Sequence, residues 1–291
     1  MSKSVIQKIS DFFSLVKIAH TIFSLPFALI GFFLAIRQTG EPFSFRSLLL
    51  ILLCVFFARN AAMGFNRYAD RDIDKKNPRT ILREIPNNVI KPLSALAFVI
   101  INALLFITTS FFLNDLCFIL SPVALIIILG YSFTKRFTSL SHLVLGLGLA
   151  LAPIGAYIAV TARFDLLPLI YSFVVIFWVS GFDILYALQD IEFDKSQKLR
   201  SLPVALGKKN ALILSASLHL LAIAMVVAAG FRGHFGYLYW VGSAVFSILL
   251  IYEHFLVKPS DISRVNLAFA TMNGMASVLF AGFVIADLYL K

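Results

Sequence analysis

Apolar runs close to 20 residues long alternate with short polar stretches along the whole chain. They fall at about 18–36, 47–66, 89–111, 115–132, 141–160, 166–187, 210–230, 236–256 and 266–287. A run of that length, coiled as an α-helix with a rise of about 1.5 Å per residue, crosses about 30 Å of hydrocarbon. Spanning strands would instead read as shorter segments of alternating apolar and polar residues. The pattern predicts an all-α polytopic membrane protein of about nine transmembrane helices, folded as a single membrane-embedded domain over residues 1–291. Ahead of the first run, "MSKSVIQKISDFFSLVK" mixes apolar and basic residues as an interfacial segment does. No small-residue cleavage pattern follows that run, so the first span is expected to be retained.

Composition agrees with this reading. Hydrophobic residues make up 60% of the 291 positions and charged residues 14%, against about 25% charged in soluble domains. The net charge of +10 is not a nucleic-acid signal, because it follows the loops rather than one folded surface. Lys and Arg number three before the first span, seven between the second and third (counting Lys91), two between the fourth and fifth, five between the sixth and seventh, and two between the eighth and ninth. The opposite side has Arg37, Arg46, Arg163, Arg232 and Lys291. A bias of 19 to 5 puts the N-terminus and the long polar loops in the cytoplasm, the protein being integral to the inner membrane. The two cysteines, Cys54 and Cys117, both lie in apolar spans, which argues against a disulfide framework or a thiolate metal site.

The acids are not scattered. Of 15 Asp and Glu, eight lie in two clusters on the cytoplasmic side: Asp70, Asp72, Asp74 and Glu84, then Asp183, Asp190, Glu192 and Asp194. Residues four apart share a helix face. Asn66, Asp70 and Asp74 form one such stripe, and Asp183, Asp190 and Asp194, at i, i+7 and i+11, form another. Asp72 and Glu192 fall off these faces. Like charges side by side weaken a helix, and near lipid a buried anion needs a partner. A multivalent cation supplies one, and carboxylate and amide oxygens suit Mg²⁺ in particular, which completes its shell with water and phosphate.

A solvated helix end balanced by Arg71, Lys75, Lys76 and Lys195 would show one such stripe as well; two of them weaken that account. The segments "DRDIDKKNPRT" and "DIEFDKSQKLRS" share D-x-x-x-D-K followed by a basic residue and Ser or Thr, 120 positions apart. This reads as one helix-end device used twice, in two pseudo-repeated halves at roughly 1–135 and 136–260, with a last helix at 266–287. Arg59 stands inside an apolar span, seven residues before Asn66 and on its face. A lone intramembrane Arg is costly, and snorkelling from two turns inside the helix end is difficult. Tyr131 and Lys135 in "LGYSFTKRFTSLSH" are four apart, which by itself is ordinary interfacial composition. His20, on the first span, reads as a structural hydrogen-bonding histidine.

Together these segments carry a pattern. "NRYADRDIDKKNPRT" resembles the N-x-x-x-D-x-x-x-D motif of the UbiA superfamily of intramembrane prenyltransferases, "YALQDIEFDKSQKLRSLP" its D-x-x-x-D motif, and "YSFTKR" its Y-x-x-x-K element. Their order matches, over essentially the whole chain. The resemblance implies nine helices around a central cavity, with Mg²⁺ bridging both Asp motifs to a polyprenyl diphosphate. It implies that Asn66, Asp70, Asp74, Asp190 and Asp194 hold metal and diphosphate and that Asp183 supports them. Arg59, Arg79, Tyr131 and Lys135 would contact diphosphate oxygens. Lys198 departs from the family, which usually has Gly there, and this leaves the conformation of the following loop open.

Breaking an allylic C–O bond leaves a diphosphate anion and an allylic cation. Mg²⁺, Arg and Lys stabilise the first, and a dry aromatic cavity protects the second. The implied reaction joins a polyprenyl group to a hydroxylated aromatic acid in quinone synthesis. The first span, "RTILREIP" and "NLAFATMNGMASVLF" resemble the branch acting on 4-hydroxybenzoate, with a dihydroxynaphthoate of menaquinone synthesis as the alternative. A secondary transporter also uses intramembrane charges, but it places them near the midplane, whereas both stripes here lie on one side. The bilayer and the two substrates are the expected partners, with no nucleic acid and no obligatory protein partner. A topology reporter fused after Lys76 or Lys198 is expected to read cytoplasmic, and one after Arg232 external. Opposite sides for Lys76 and Lys198 would separate the two stripes and exclude a shared diphosphate.

Overall fold

The computed structural model describes residues 5–290. Among these residues nine helices are long and apolar enough to cross a membrane. After an amphipathic α1 (Val5–Leu15) and a 3-10 turn (Ile18–Phe23) come α2 (Leu25–Thr39), α3 (Phe45–Ala69) and the short α4 (Arg71–Asp74). Then follow α5 (Pro92–Phe111), α6 (Asp115–Thr134), α7 (Ser141–Thr161), α8 (Leu166–Ala187) and the short α9 (Ile191–Ser196). The chain ends with α10 (Leu202–Arg232), α11 (Tyr237–Leu256) and, after a π-helical turn at Leu267–Met272, α12 (Asn273–Leu290). The expected spans are all present, with shifted ends. The seventh starts earlier than expected, because α10 begins at Leu202, one turn ahead of a break at Gly207 (φ 76, ψ 165).

Sequential packing closes a ring: α2, α3, α5, α6, α7, α8, α10, α11, α12 and back to α2. A direct crossing of α2 on α7 pinches this ring. Side chains fill the half beyond the pinch. Trp178 on α8 lies 5.4 Å from Phe27, 5.3 Å from Phe182 and 6.0 Å from Phe246, centroid to centroid, and Phe280 joins them from α12. The other half, between α3, α5, α6, α7 and α8, keeps an open interior. Outward-facing Leu93, Leu104, Ile126 and Phe255 are exposed, as a lipid-facing surface requires where apolar side chains have no water to avoid. In that setting the helices are held by close packing and by polar contacts across the bundle, such as Asn60 donating to Asn102 at 3.2 Å between α3 and α5.

The pinch depends on a residue without a side chain. A Cβ placed on Gly31 would lie 2.1 Å from the carbonyl oxygen of Pro153, which is backbone and cannot rotate away. Gly31→Ala is therefore expected to force α2 off α7 and to destabilise the protein by about 1–3 kcal/mol, the range of overpacking substitutions. A drop in the thermal unfolding midpoint of the detergent-purified variant would register it. An unchanged midpoint would mean that this crossing does not set the bundle.

Candidate active site

Both Asp motifs fold in the same way. The spanning helix ends at the first Asp, whose backbone leaves the helical region (Asp70 φ −92, ψ 3; Asp190 φ −103, ψ 3), and a short helix follows. Across the first break the ladder still holds, with the Asp70 amide on the Asn66 carbonyl at 3.0 Å and the Asp74 amide on the Asp70 carbonyl at 2.7 Å. The kinks turn both acid stripes toward one polar cavity of about 220 Å³. Asn66, Asp70, Asp74, Arg79, Tyr131, Lys135, Asp183, Asp190 and Asp194 all line it. Asp72 does not: its side chain is 82% exposed and faces Arg71.

Three of the chamber carboxylates are paired with cations from other segments. Asp70, 1% exposed, takes Lys135 Nζ at 2.7 Å and Arg136 Nη2 at 3.4 Å, and accepts from Asn66 Nδ2 at 3.3 Å. Asp74 accepts from Arg83 Nη1 at 2.7 and 2.8 Å. Asp190 accepts a forked pair from Arg79, Nε at 2.9 Å and Nη2 at 2.5 Å, and a further bond from Asn77 Nδ2 at 3.2 Å. Burial works against the Arg79 cation, but the hydrogen bonds and charge of Asp190 outweigh it and raise its proton affinity above that of free arginine. Arg79 also reaches the Tyr186 hydroxyl at 3.0 Å and lies over its ring. At the inner edge, His142 Nδ1 meets Asp183 Oδ2 at 2.7 Å, while His142 Nε2 is buried without a hydrogen-bond partner.

A second, apolar cavity of about 430 Å³ adjoins the first, and Tyr131, Leu145 and Asp183 line both. It is walled by α3, α6 and α7, and on α3 it reaches from Met63 to Ile51, about 18 Å of helix. Arg59 belongs to this cavity and not to the polar one, with Nη2 on the Lys17 carbonyl at 3.3 Å and Nε buried without a partner. The helix face it shares with Asn66 is real, but seven residues up the helix puts it in a different chamber. The side chain of His20 lies outside those described.

The sequence reading missed Asn77, Arg83, Arg136, His142 and Tyr186. Arg83 and Arg136 stand in segments already singled out, "RTILREIP" and "YSFTKRF", yet nothing local says which acid each would meet. Lys198 resolves the loop question. It adopts the left-handed conformation (φ 57) that Gly favours, and the Leu199 amide closes onto the Asp194 carbonyl at 2.9 Å. The loop keeps the turn at the cost of placing a Cβ in that region, about 1–2 kcal/mol.

The donor set fits a hard divalent cation. Asn66, Asp70, Asp74, Asp190 and Asp194 offer only oxygen atoms suited to Mg²⁺, and they line the same cavity as the basic groups that suit phosphate. Such a charged cavity opening into a long apolar one defines a membrane-embedded enzyme for substrates with an anionic head and a lipid tail. The description of the UbiA prenyltransferase family matches residues 24–277. A 4-hydroxybenzoate octaprenyltransferase of Paraburkholderia phymatum is 30% identical over 247 residues, 85% of each chain, and one of Aeromonas hydrophila is 28% identical over 239 residues, 82% of this chain and 83% of that one. The apo structure of a UbiA homologue from Aeropyrum pernix K1 superposes with a TM-score of 0.83 at 32% identity, over 92% of this chain and 98% of that one. A UbiA homologue from Archaeoglobus fulgidus, solved with GPP and Mg²⁺, shares the fold with a TM-score of 0.71 at 21% identity, over 96% of this chain and 99% of that one. The chain belongs to the UbiA prenyltransferase family and is a prenyltransferase of the membrane.

Removing a chamber carboxylate is expected to be far costlier than removing an equally acidic neighbour outside it. Asp70→Ala or Asp190→Ala should lower turnover at least about a hundredfold, as loss of a preorganised electrostatic group does. Asp72→Ala should stay near wild type. Equal losses at Asp70 and Asp72, measured on folded protein, would remove the chamber from the mechanism.

Proposed function

We propose that the protein transfers a polyprenyl group from a polyprenyl diphosphate to the ring of a hydroxylated aromatic acid of the 4-hydroxybenzoate type, with Mg²⁺, as a step toward a quinone. The observation that carries this reading is the junction of the two chambers at Tyr131, Leu145 and Asp183. A diphosphate head fits the charged side, a prenyl tail fits the apolar side, and the bond to be broken falls between them. The relatives' activity on 4-hydroxybenzoate supports the acceptor class. The basic bias of the loops supports placing the polar chamber at the cytoplasmic face of the inner membrane.

Asn66, Asp70, Asp74, Asp190 and Asp194 would hold Mg²⁺, which would supply positive charge to a diphosphate leaving group. Arg79, Arg83, Lys135 and Arg136 bind its oxygens, being preorganised cations at a site that develops negative charge. The apolar walls exclude water from the allylic cation. The hydrogen bond to Asp183 fixes the Nδ1–H tautomer of His142, which leaves a lone pair on Nε2, buried in the wall of the polar chamber. His142 Nε2 takes the proton that the ring or phenol gives up. Arg59, the basic side chain of the apolar chamber, makes no ion pair among the described residues and is free to meet the carboxylate of the aromatic acid. This reading differs from the diphosphate contact that the family resemblance implies for Arg59.

The test crosses two aromatic acids, 4-hydroxybenzoate and a dihydroxynaphthoate, with prenyl diphosphates of several lengths on purified protein, with products identified by mass. A prenylated 4-hydroxybenzoate that forms only with a divalent ion is expected; product from the naphthoate alone would move the enzyme to the other quinone branch. On the same assay, Arg59→Gln is expected to raise KM for the acid about tenfold to a hundredfold, the worth of a charged hydrogen bond. The diphosphate KM should hardly move. A defect confined to the diphosphate would return Arg59 to the head group.

A further inference from the structure

Three ligand-bearing residues converge where neither chamber reaches. His219 on α10 and Glu253 and His254 on α11 line neither cavity. His219 Nδ1, His254 Nε2 and a Glu253 carboxylate oxygen lie within 4.8 Å of one another. His219 is 2% exposed and Glu253 0%, while His254 is half-buried and gives the cluster its approach from outside.

The surroundings aim these atoms at one another. His219 Nε2 lies 3.1 Å from the Trp178 carbonyl, which only accepts, so this nitrogen carries the hydrogen and Nδ1 of the neutral ring is a lone pair. The ring is seated on the bare backbone of α8: a Cβ on Gly181 would lie 2.2 Å from His219 Cδ2. Glu253 Oε2 accepts from Asn273 Nδ2 at 2.6 Å, and Asn273 Oδ1 accepts from Trp178 Nε1 at 2.5 Å, which fixes the amide's orientation. Oε1 is left facing His219 Nδ1 at 2.7 Å without making a hydrogen bond of regular geometry. His254 Nε2 stands 2.9 Å from the same Nδ1. Three electron-pair donors thus meet inside a membrane protein, with one carboxylate among them. A single proton on Nδ1 satisfies one neighbour at a time; a cation between the three satisfies all of them.

We propose that His219, Glu253 and His254 bind a divalent transition metal of the zinc class, as a structural site separate from the catalytic Mg²⁺. Two imidazoles and a carboxylate are borderline ligands that suit Zn²⁺ and not Mg²⁺. Bonds of about 2.0–2.1 Å set tetrahedral ligands about 3.3 Å apart, so the separations of 2.7 and 2.9 Å from His219 Nδ1 need open by only about half an ångström. The backing is the kind such sites carry: the ligating His donates its other N–H to a carbonyl, and the carboxylate's second oxygen is held by an amide. The metal joins α10 to α11 and, through Trp178 and Asn273, braces α8 and α12 behind the active site.

Full-length protein in detergent is stripped with a chelator, returned to saturating Mg²⁺ and titrated with Co²⁺, whose visible absorption reports tetrahedral coordination. Stoichiometric absorption that Zn²⁺ displaces is expected, together with a rise in the thermal unfolding midpoint on adding Zn²⁺. Glu253→Gln and His254→Ala should each weaken Co²⁺ binding at least about tenfold, the lower end of what loss of a mere supporting group costs. The pair Asp70→Asn with Asp190→Asn should leave the spectrum unchanged. Wild-type protein that gives no such absorption overturns the proposal without reliance on any variant. So does a signal that the aspartate changes abolish and the cluster changes leave intact.

Discussion

A carboxylate cannot stay charged beside hydrocarbon without a partner, and the acid-bearing end of this bundle is organised by that requirement. Asp70, Asp74 and Asp190 each draw in a cation from another part of the chain: Lys135 and Arg136 from the end of α6, Arg83 and Arg79 from the loop between α4 and α5. That loop lies over the chamber because its two arginines are tied to acids on two different helices. It is backed in turn by α1, whose Leu15 packs with Ile85, Ile90 and Ala95 and whose Ser14 hydroxyl donates to Glu84 at 2.5 Å. Buried ion pairs contribute little net stability once desolvation is counted. What they secure here is position: oxygen donors on one side of a small cavity, and phosphate-binding groups among them.

The bundle divides its labour across α8. One face of this helix carries Trp178 into an aromatic cluster that fills the second half of the ring. The other presents Asp183 to the chambers, and Val179 and Phe182 stand on the boundary between the two, packed in the cluster and lining the apolar cavity. A filled half beside an open half gives a rigid wall to work against, since close-packed interiors transmit displacement rather than absorb it. The pinch of α2 on α7, which the missing side chain of Gly31 permits, separates the two halves. The apolar chamber then runs along α3 beneath the acids, which is the alignment a lipid-tailed diphosphate needs.

The composition of this chain is mostly a statement about lipid, and its polar exceptions are where function concentrates. Two polar clusters lie inside the bundle. The acid-rich chamber sits at the end of the bundle that carries both Asp motifs, and the histidine–glutamate cluster sits between α10 and α11, lining neither chamber. The contrast in ligand chemistry, all oxygen in one and mostly nitrogen in the other, keeps the two from competing for the same ion.

Span number and the two acid stripes were legible in the sequence because both are local properties. About 20 apolar residues suffice to cross hydrocarbon whatever the neighbours do, and a four-residue spacing puts Asn66, Asp70 and Asp74 on one face without help from the rest of the chain. The family motifs gave nine of the ten singled-out residues a common chamber for the same reason. Pairing was not legible. That Arg83 would hold Asp74, that Arg136 would reach Asp70, and that His142 would meet Asp183 depends on contacts across 9, 66 and 41 positions. Arg59 kept its helix face but fell into the apolar chamber, because a shared face says nothing about depth along the axis. Lys198 took a left-handed turn that its residue type disfavours, held there by the cap on Asp194. The sequence by itself determined how many helices cross the membrane and which faces carry charge. Only the tertiary structure decided which charges meet, since that follows from helices brought together by packing, and packing in lipid is set by shape rather than by hydrophobic pattern.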